Sequence, residues 1–216
     1  MMRSRNVLLL LTAMIIAFAP GIVHAKTIVL DVSNWDAAAL IDRDFPLVSW
    51  VAFDWFTVTP KRNLLIRYSL DQIPEGMRVT NAELVFPMWN SDEARFYLWR
   101  ILQEWGPGVS YKYRMVRPQK AEWAEPGARA MGVDHLVRPT AICRPKSSDV
   151  SQHGTERGIA VNVTKDVALW HSGAAPNNGW MITSEGTIHF HSPFSRQMGI
   201  WTVSYTHLTL PTTPYV

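Results

Sequence analysis

The chain has 216 residues, a formal net charge of +3 and a single cysteine. Two of its 21 basic residues, Arg3 and Arg5, lie at the extreme N-terminus, so the rest of the chain carries 19 basic against 18 acidic residues. This balance provides no long-range field for nucleic acid or acidic lipid. A lone thiol excludes an internal disulfide and a metal cluster built on several thiolates.

Residues 1–25 have the three parts of a secretory signal peptide. Arg3 and Arg5 begin it, an apolar run occupies 7–19, and a small-residue cleavage site ends at Ala25. The run of about 13 residues is shorter than the ~20 that span a bilayer. We therefore expect a secreted or extracytoplasmic protein, in the periplasm or at the cell surface, with no stable membrane insertion after cleavage. An uncleaved anchor is the alternative.

From residue 26 onward, short apolar runs alternate with Pro, Gly, Asn and Asp turns, and no long 3.6-residue period occurs. This spacing predicts one all-β domain over residues 26–201, a β-sandwich of jelly-roll type. The predicted strands are 27–32, 49–58, 63–70, 82–88, 94–102, 158–163, 179–183 and 187–191, with 198–201 beginning the last strand.

One short helix is predicted at 165–171. Thr164 precedes it as an N-cap and Gly173 follows it as a stop. Val167 and Trp170, three residues apart, would press one face of this helix onto a sheet.

Residues 202–216 are predicted to be a non-native tail. The run VSYTHLTLPTT at 203–213 resembles the in-frame translation of a transposase tagmentation adaptor. Eleven consecutive agreements are hard to obtain by chance, so this segment is set aside from the functional argument. We then expect the natural gene to continue, with a downstream catalytic or anchoring region that this sequence lacks. The alternative is a genuine Thr-rich final strand.

Four ordered segments carry a family resemblance. They are LLIRYSLDQIPEGMRVTNAELVF at 64–86, FYLWRI at 96–101 with EWGPGVSY at 104–111, WAEPG at 123–127, and IAVNVTKDVALWHSGAAPNNGW at 159–180. In this order they resemble the DNRLRE domain, which is classed with the family 96 carbohydrate-binding modules of secreted bacterial proteins. The resemblance implies a non-catalytic module that holds a larger extracellular or surface protein on a polysaccharide or cell-surface glycan.

The predicted strand 94–102 is apolar on both faces, whereas a sandwich strand normally buries only one. Its second face is therefore either covered by the long irregular stretch 116–155 or open to a ligand. If it is open, Tyr97 and Trp99 would stack on sugar rings, and Arg95 or Arg67 would donate hydrogen bonds to hydroxyls. A second aromatic concentration, WVAFDWF at 50–56, adds Trp55 as a candidate, with core packing as the alternative.

His189 and His191 flank Phe190, so both imidazoles point to the same side of their predicted strand. With Glu185 they are weak candidates for a metal site, and a solvated polar face is the alternative. No cofactor is expected beyond a possible structural Ca²⁺, for which the loops offer carboxylates at Asp31, Asp36, Asp42 and Asp44.

The residues leave two other functions possible as alternatives to a carbohydrate-binding module. One is a structural or adhesive spacer without a glycan site. The other is a polysaccharide lyase or hydrolase, for which Tyr111, Tyr113 and His135 could supply a base. The chain has no Gly-x-Ser-x-Gly elbow, phosphate-binding loop or His-Glu-x-x-His.

Overall fold

The structure is a computed structural model, and it describes residues 25–30, 35–50, 55–91, 93–146, 158–191 and 201–206. These residues form one helix, α1 (Thr164–His171), and fourteen strands. The strands are β1 (Ala25–Leu30), β2 (Trp35–Asp42), β3 (Phe45–Trp50), β4 (Trp55–Val58), β5 (Arg62–Tyr68), β6 (Arg78–Ser91), β7 (Phe96–Arg100), β8 (Tyr113–Met115), β9 (Ala121–Glu122), β10 (Ala141–Cys143), β11 (Gly158–Asn162), β12 (Trp180–Ser184), β13 (Ile188–His191) and β14 (Trp201–Thr206).

The strands form two large sheets and one hairpin, and every described strand pair is antiparallel. Sheet I has the order β10-β7-β12-β5-β2-β3. Sheet II has the order β1-β14-β6-β13-β4, with β11 also paired to β6, and β8 pairs only with β9. The predicted all-β class with one short helix is confirmed. The jelly-roll connectivity stays a prediction.

The main core lies between the two sheets and follows the alternation of side chains along each strand. Phe86 of sheet II packs on Phe96 of sheet I, and Phe190 completes the group, with ring centroids 5.2 to 5.5 Å apart. All three rings are fully buried. Burial of each large apolar side chain stabilises the fold by about 1.5–3 kcal/mol, so this ring cluster helps to hold the two sheets together. Its other inward residues from sheet I include Leu40, Leu64, Ile66, Leu98, Trp180 and Ile182.

The opposite face of sheet I, which we call the outer face, carries a second apolar cluster. Residues 103–135, which we call the covering segment, lie on it and bury Trp105, Tyr111 and Trp123. Beneath them lie apolar side chains of β2, β5 and β12, namely Ile41, Leu65 and Met181. Of the two alternatives for the second face, cover by an irregular stretch or exposure to a ligand, the first therefore holds over most of the outer face. The cover begins earlier than expected, since Trp105 and Tyr111 precede residue 116.

Helix α1 is confirmed within one residue, and its inward face is the predicted one, with Val167 and Trp170 buried. The predicted N-cap is wrong. Thr164 is the first residue of the helix, Val163 occupies the capping position, and no side chain caps it. The Thr164 hydroxyl instead accepts a hydrogen bond of 2.9 Å from the backbone N–H of Ala82. The nearby strand thus competes successfully for the oxygen that would otherwise cap the helix.

Several predicted boundaries change. The predicted strand 49–58 is divided between β3 and β4, while residues 51–54 lie outside the described part of the chain. Strands β2, β8, β9 and β10 are not among the predicted strands. Residues 202–206, set aside as a non-native tail, belong to β14, which pairs with β1 on one side and β6 on the other.

Residues 1–24, which hold most of the predicted signal peptide, lie outside the described residues. Across the described ranges, no helix has the length and apolar character needed to cross a membrane.

Candidate functional site

The covering segment leaves part of the outer face of sheet I uncovered. There, antiparallel pairing sets Tyr97 of β7 between Ile142 of β10 and Thr183 of β12. The next outward pair along the same strands is Trp99 and Met181. Paired residues point to the same face of a sheet, so these five side chains form one surface.

A groove of about 490 Å³ lies where this surface meets the covering segment. Its volume falls within the range of pockets that hold small molecules, roughly 300–1,000 Å³. Its floor comes from sheet I and its wall from the covering segment. The floor and wall residues are Asn63, Trp99, Met181, Thr183 and Ser184, with Tyr111, Met131 and His135.

Trp99 is the centre of an aromatic row. Tyr97 stacks on it with ring centroids 5.8 Å apart and planes 24° from parallel. The His135 ring lies 4.7 Å from the Trp99 ring and is tilted from it by 57°. The indole N–H of Trp99 donates a 2.9 Å hydrogen bond to the Thr183 hydroxyl. The half-buried indole is thereby held in one orientation, with part of its ring left for a ligand.

Glu185 organises the exposed end of this row. Its carboxylate accepts hydrogen bonds from the Tyr97 hydroxyl and, at 3.0 Å, from Nε of Arg95. These two donors, Tyr97 first, hold the pKa of Glu185 below its usual value. The same hydrogen bond raises the pKa of Tyr97. Arg95 and Tyr97 are therefore anchored to each other through one carboxylate, although the cluster lies at the surface.

Charged side chains border the groove on the covered side. Lys61 pairs with Asp44 at 2.9 Å, and Arg129 lies 3.7 Å from Glu125. Both pairs are about half exposed, so each contributes little to stability and can rearrange around a ligand. Arg43 also lines the groove.

His135 is buried, and a backbone carbonyl fixes its tautomer. Its Nδ1 lies 2.6 Å from the carbonyl oxygen of Leu136. Because a carbonyl only accepts, this contact requires the proton on Nδ1, and Nε2 of that tautomer is an acceptor. A hydroxyl donor is the kind of group that such a nitrogen recognises.

The structure separates the other carbohydrate candidates from this row. Arg67 also points to the outer face, but it lies beneath the covering segment. There it donates a 3.2 Å hydrogen bond to the carbonyl oxygen of Trp105 and sits over that indole at 5.1 Å. Trp55 belongs to β4 in sheet II, and its side chain lies outside the described part.

The weak metal candidates do not come together in the described part. Glu185 is held by Tyr97 and Arg95, whereas Nδ1 of His189 lies 3.0 Å from the Thr57 hydroxyl in sheet II. The His191 side chain lies outside the described residues. Among described side chains, no group of three or more His, Cys, Asp or Glu is placed to hold a metal ion.

The two acidic candidates for Ca²⁺ whose side chains are described each pair with a cation of the chain. Asp42 is bound by Nε of Arg62 at 2.7 Å, and Asp44 by Lys61. Asp31 and the side chain of Asp36 lie outside the described part.

Sequence reasoning missed most partners of Trp99. Thr183 could have been found, because it lies on the strand pairing with β7 and points outward with Met181. His135 had no such signal, since its contact with Trp99 depends on how the covering segment folds back. The sequence suggests Tyr111 and His135 only as possible bases, and both line the groove.

Comparison with known proteins adds no relative to this description. No family model matches the chain, and no curated protein matches its sequence.

Proposed function

We propose that this chain is a secreted, extracytoplasmic carbohydrate-binding module of the DNRLRE kind, without catalytic activity, built as a jelly-roll sandwich. It would hold a larger extracellular or surface protein on a polysaccharide or cell-surface glycan. Each contact would be weak, and repeated attachment along a polymer would strengthen it.

The observation that carries the proposal is the half-buried indole of Trp99 in an open groove. An indole offers an apolar plane to the apolar face of a pyranose. Around it, His135 supplies an acceptor, and the exposed side chains of Lys61 and Arg43 supply donors at the rim. Apolar lining with a few convergent polar groups is typical of ligand sites.

The proposal is tested by affinity electrophoresis of the intact chain on a panel of neutral and acidic polysaccharides. We expect retardation on at least one glycan, and Trp99→Ala to weaken it about tenfold or more, since stacking of a ring contributes ~1–2 kcal/mol. Ile142→Ala is the matched control, because Ile142 is 60% exposed on the same face and lies outside the groove. Loss of retardation in both variants would contradict the assignment, and no retardation on any glycan would favour the spacer.

One observation favours the enzymatic alternative. Tyr111 and His135, two residues able to act as bases, line the same groove. Tyr113 does not join them, because its ring lies between Lys112 and Lys120, at 5.3 and 4.3 Å. Release of unsaturated or shortened oligosaccharide from a bound glycan, abolished by His135→Asn, would establish a lyase or hydrolase in place of the binding module.

A further inference from the structure

A second cavity, of about 480 Å³, lies on the other side of the covering segment. We call it the basic cleft. It opens between the start of that segment and the turn that joins β8 to β9. Four cationic side chains line it against one carboxylate, with an indole as part of the wall: Arg67, Arg114, Arg117, Lys120, Glu104 and Trp105.

Backbone hydrogen bonds fix the two walls of the basic cleft relative to each other. The N–H of Gly106 donates to the carbonyl of Arg114 at 3.0 Å, and the N–H of Val116 to that of Pro107 at 2.9 Å. Nη1 of Arg114 donates to the carbonyl of Glu104 at 2.6 Å. With Arg67 anchored on Trp105, two of the guanidinium groups are positioned before any ligand arrives. Such preorganisation lowers the entropic cost of binding.

Three of the four cations of the basic cleft have no carboxylate partner in the described part of the chain. Within the described ranges, Arg114, Arg117 and Lys120 form no ion pair with a carboxylate. Lys120 lies over the exposed ring of Tyr113, and its hydrogen bond is the main reason that the pKa of Tyr113 is lowered. A cleft in which positive charges outnumber negative ones concentrates counter-ions of the opposite sign.

We propose that the basic cleft binds a tetrahedral oxyanion, the sulfate or phosphate ester of a glycan. A planar carboxylate is satisfied by one guanidinium fork, whereas a tetrahedral oxyanion has three charged oxygens that accept from several directions. Four cations around one cavity match the second arrangement. This inference goes beyond the module proposed above, because it assigns a separate site and a charged ligand class.

The basic cleft and the groove lie on the same strand but are separate sites. Asn63 of β5 lines the groove and Arg67 of β5 lines the cleft. Four residues of extended strand separate their Cα atoms by about 13 Å. Variants in one site should therefore leave the other intact.

The test measures binding of the full chain by biolayer interferometry to four immobilised polymers of matched length. They are dextran sulfate, phosphorylated dextran, carboxymethyl dextran and unmodified dextran. We expect binding to one or both esters, weakening with added salt, and roughly tenfold loss in Arg117→Gln, which breaks no described intramolecular bond. The double variant Arg114→Gln/Arg117→Gln should lose more. A preference between the two esters identifies the ligand.

The matched control is Arg78→Gln/Lys165→Gln, which removes the same charge from exposed positions on β6 and α1. It should bind as the parent chain does, and so should Trp99→Ala. If the charge control lost as much ester binding as the cleft variants, the effect would come from net charge alone, and the proposed site would be overturned. Carboxymethyl dextran binding as tightly as both esters would overturn the ligand class. Loss of ester binding in Trp99→Ala would move the ligand into the groove.

Discussion

Gly179 shows how one residue without a side chain determines the approach of two elements. It has φ +71°, and a Cβ placed there would lie 2.1 Å from the carbonyl oxygen of Ile66 and 2.9 Å from Cα of Arg67. These atoms belong to the backbone of β5, so they cannot rotate away. The close approach lets β12 begin against β5 and carries Trp180 into the core.

Gly179→Ala should therefore destabilise the protein far more than an ordinary glycine replacement. We expect a loss of about 3 kcal/mol or more in the free energy of unfolding, from backbone strain and steric overlap together. Gly76→Ala is the matched control. It has φ +74° but no atom within 4 Å of the added Cβ, so it should lose only about 1 kcal/mol. Urea denaturation of both variants measures the difference, and equal losses would contradict the close-approach argument.

Cys143 is predicted to react slowly as a thiol. It packs partly buried against the main core, and this burial raises its pKa to about 11. At pH 8 its thiolate fraction should be roughly two hundredfold below that of an unfolded thiol with a pKa of ~8.5. Alkylation by iodoacetamide, with and without urea, measures this ratio. Equal rates in the two conditions would show that the thiol is not protected.

The same shift predicts a pH dependence of stability with a defined sign. Below pH ~8.5 the thiol is protonated in both the folded and the unfolded chain, so its contribution to the free energy of unfolding is fully present. As the pH rises from there towards about 11, the unfolded chain loses the proton first, so the free energy of unfolding falls. Cys143→Ala should remove this part of the slope.

At the scale of elements, a buried carboxylate joins α1 to sheet I. Asp166 accepts hydrogen bonds from the Thr140 hydroxyl at 2.5 Å, the Trp180 indole at 2.8 Å and the Arg100 guanidinium at 3.3 Å. The Asp166 side chain is only 5% exposed. These hydrogen bonds compensate the buried negative charge of Asp166 and fix the position of α1 relative to β7 and β12.

Asp166→Ala should cost about 3–5 kcal/mol, because it leaves the Arg100 charge buried without its partner. The matched control is Asp44→Ala, which breaks an ion pair whose side chains are about half exposed. That variant should lose no more than ~1 kcal/mol. Thermal and urea unfolding of both variants test this contrast, and similar losses would mean that the buried pair does not hold the helix in place.

The sequence predicts an element when a pattern of neighbouring residues determines it, and does not when contacts with distant parts of the chain determine it. The alternation in β5 and β7 and the Val167–Trp170 spacing in α1 are local, so strands and helix were found. β2 begins WDAAALID, where a run of alanines resembles a helix as much as a strand, and only pairing with β5 settles it. The groove depends on long-range folding of the covering segment. The sequence therefore places Tyr97 and Trp99 on one face of their strand, but it does not predict the contact of Trp99 with His135.

At the scale of the whole molecule, sheet I is shared by two apolar clusters. β2, β5 and β12 send alternate side chains to the main core and to the cluster beneath the covering segment. Neither cluster can lose its strands without exposing the other. The covering segment is thus part of the folded unit, which explains how a groove formed partly by irregular chain can hold a fixed shape.

This shared sheet predicts a single cooperative unfolding transition. Far-UV circular dichroism, which follows the sheets, and tryptophan fluorescence, which includes Trp105 and Trp123 of the covering segment, should give coincident urea curves. Trp123 is 4% exposed and its indole donates to the carbonyl of Ser110 at 3.0 Å. Trp123→Ala should therefore lower stability by about 3–5 kcal/mol and move both curves together. If fluorescence changed at lower urea than circular dichroism, the covering segment would unfold on its own, and the groove would lose its wall before the sandwich melts.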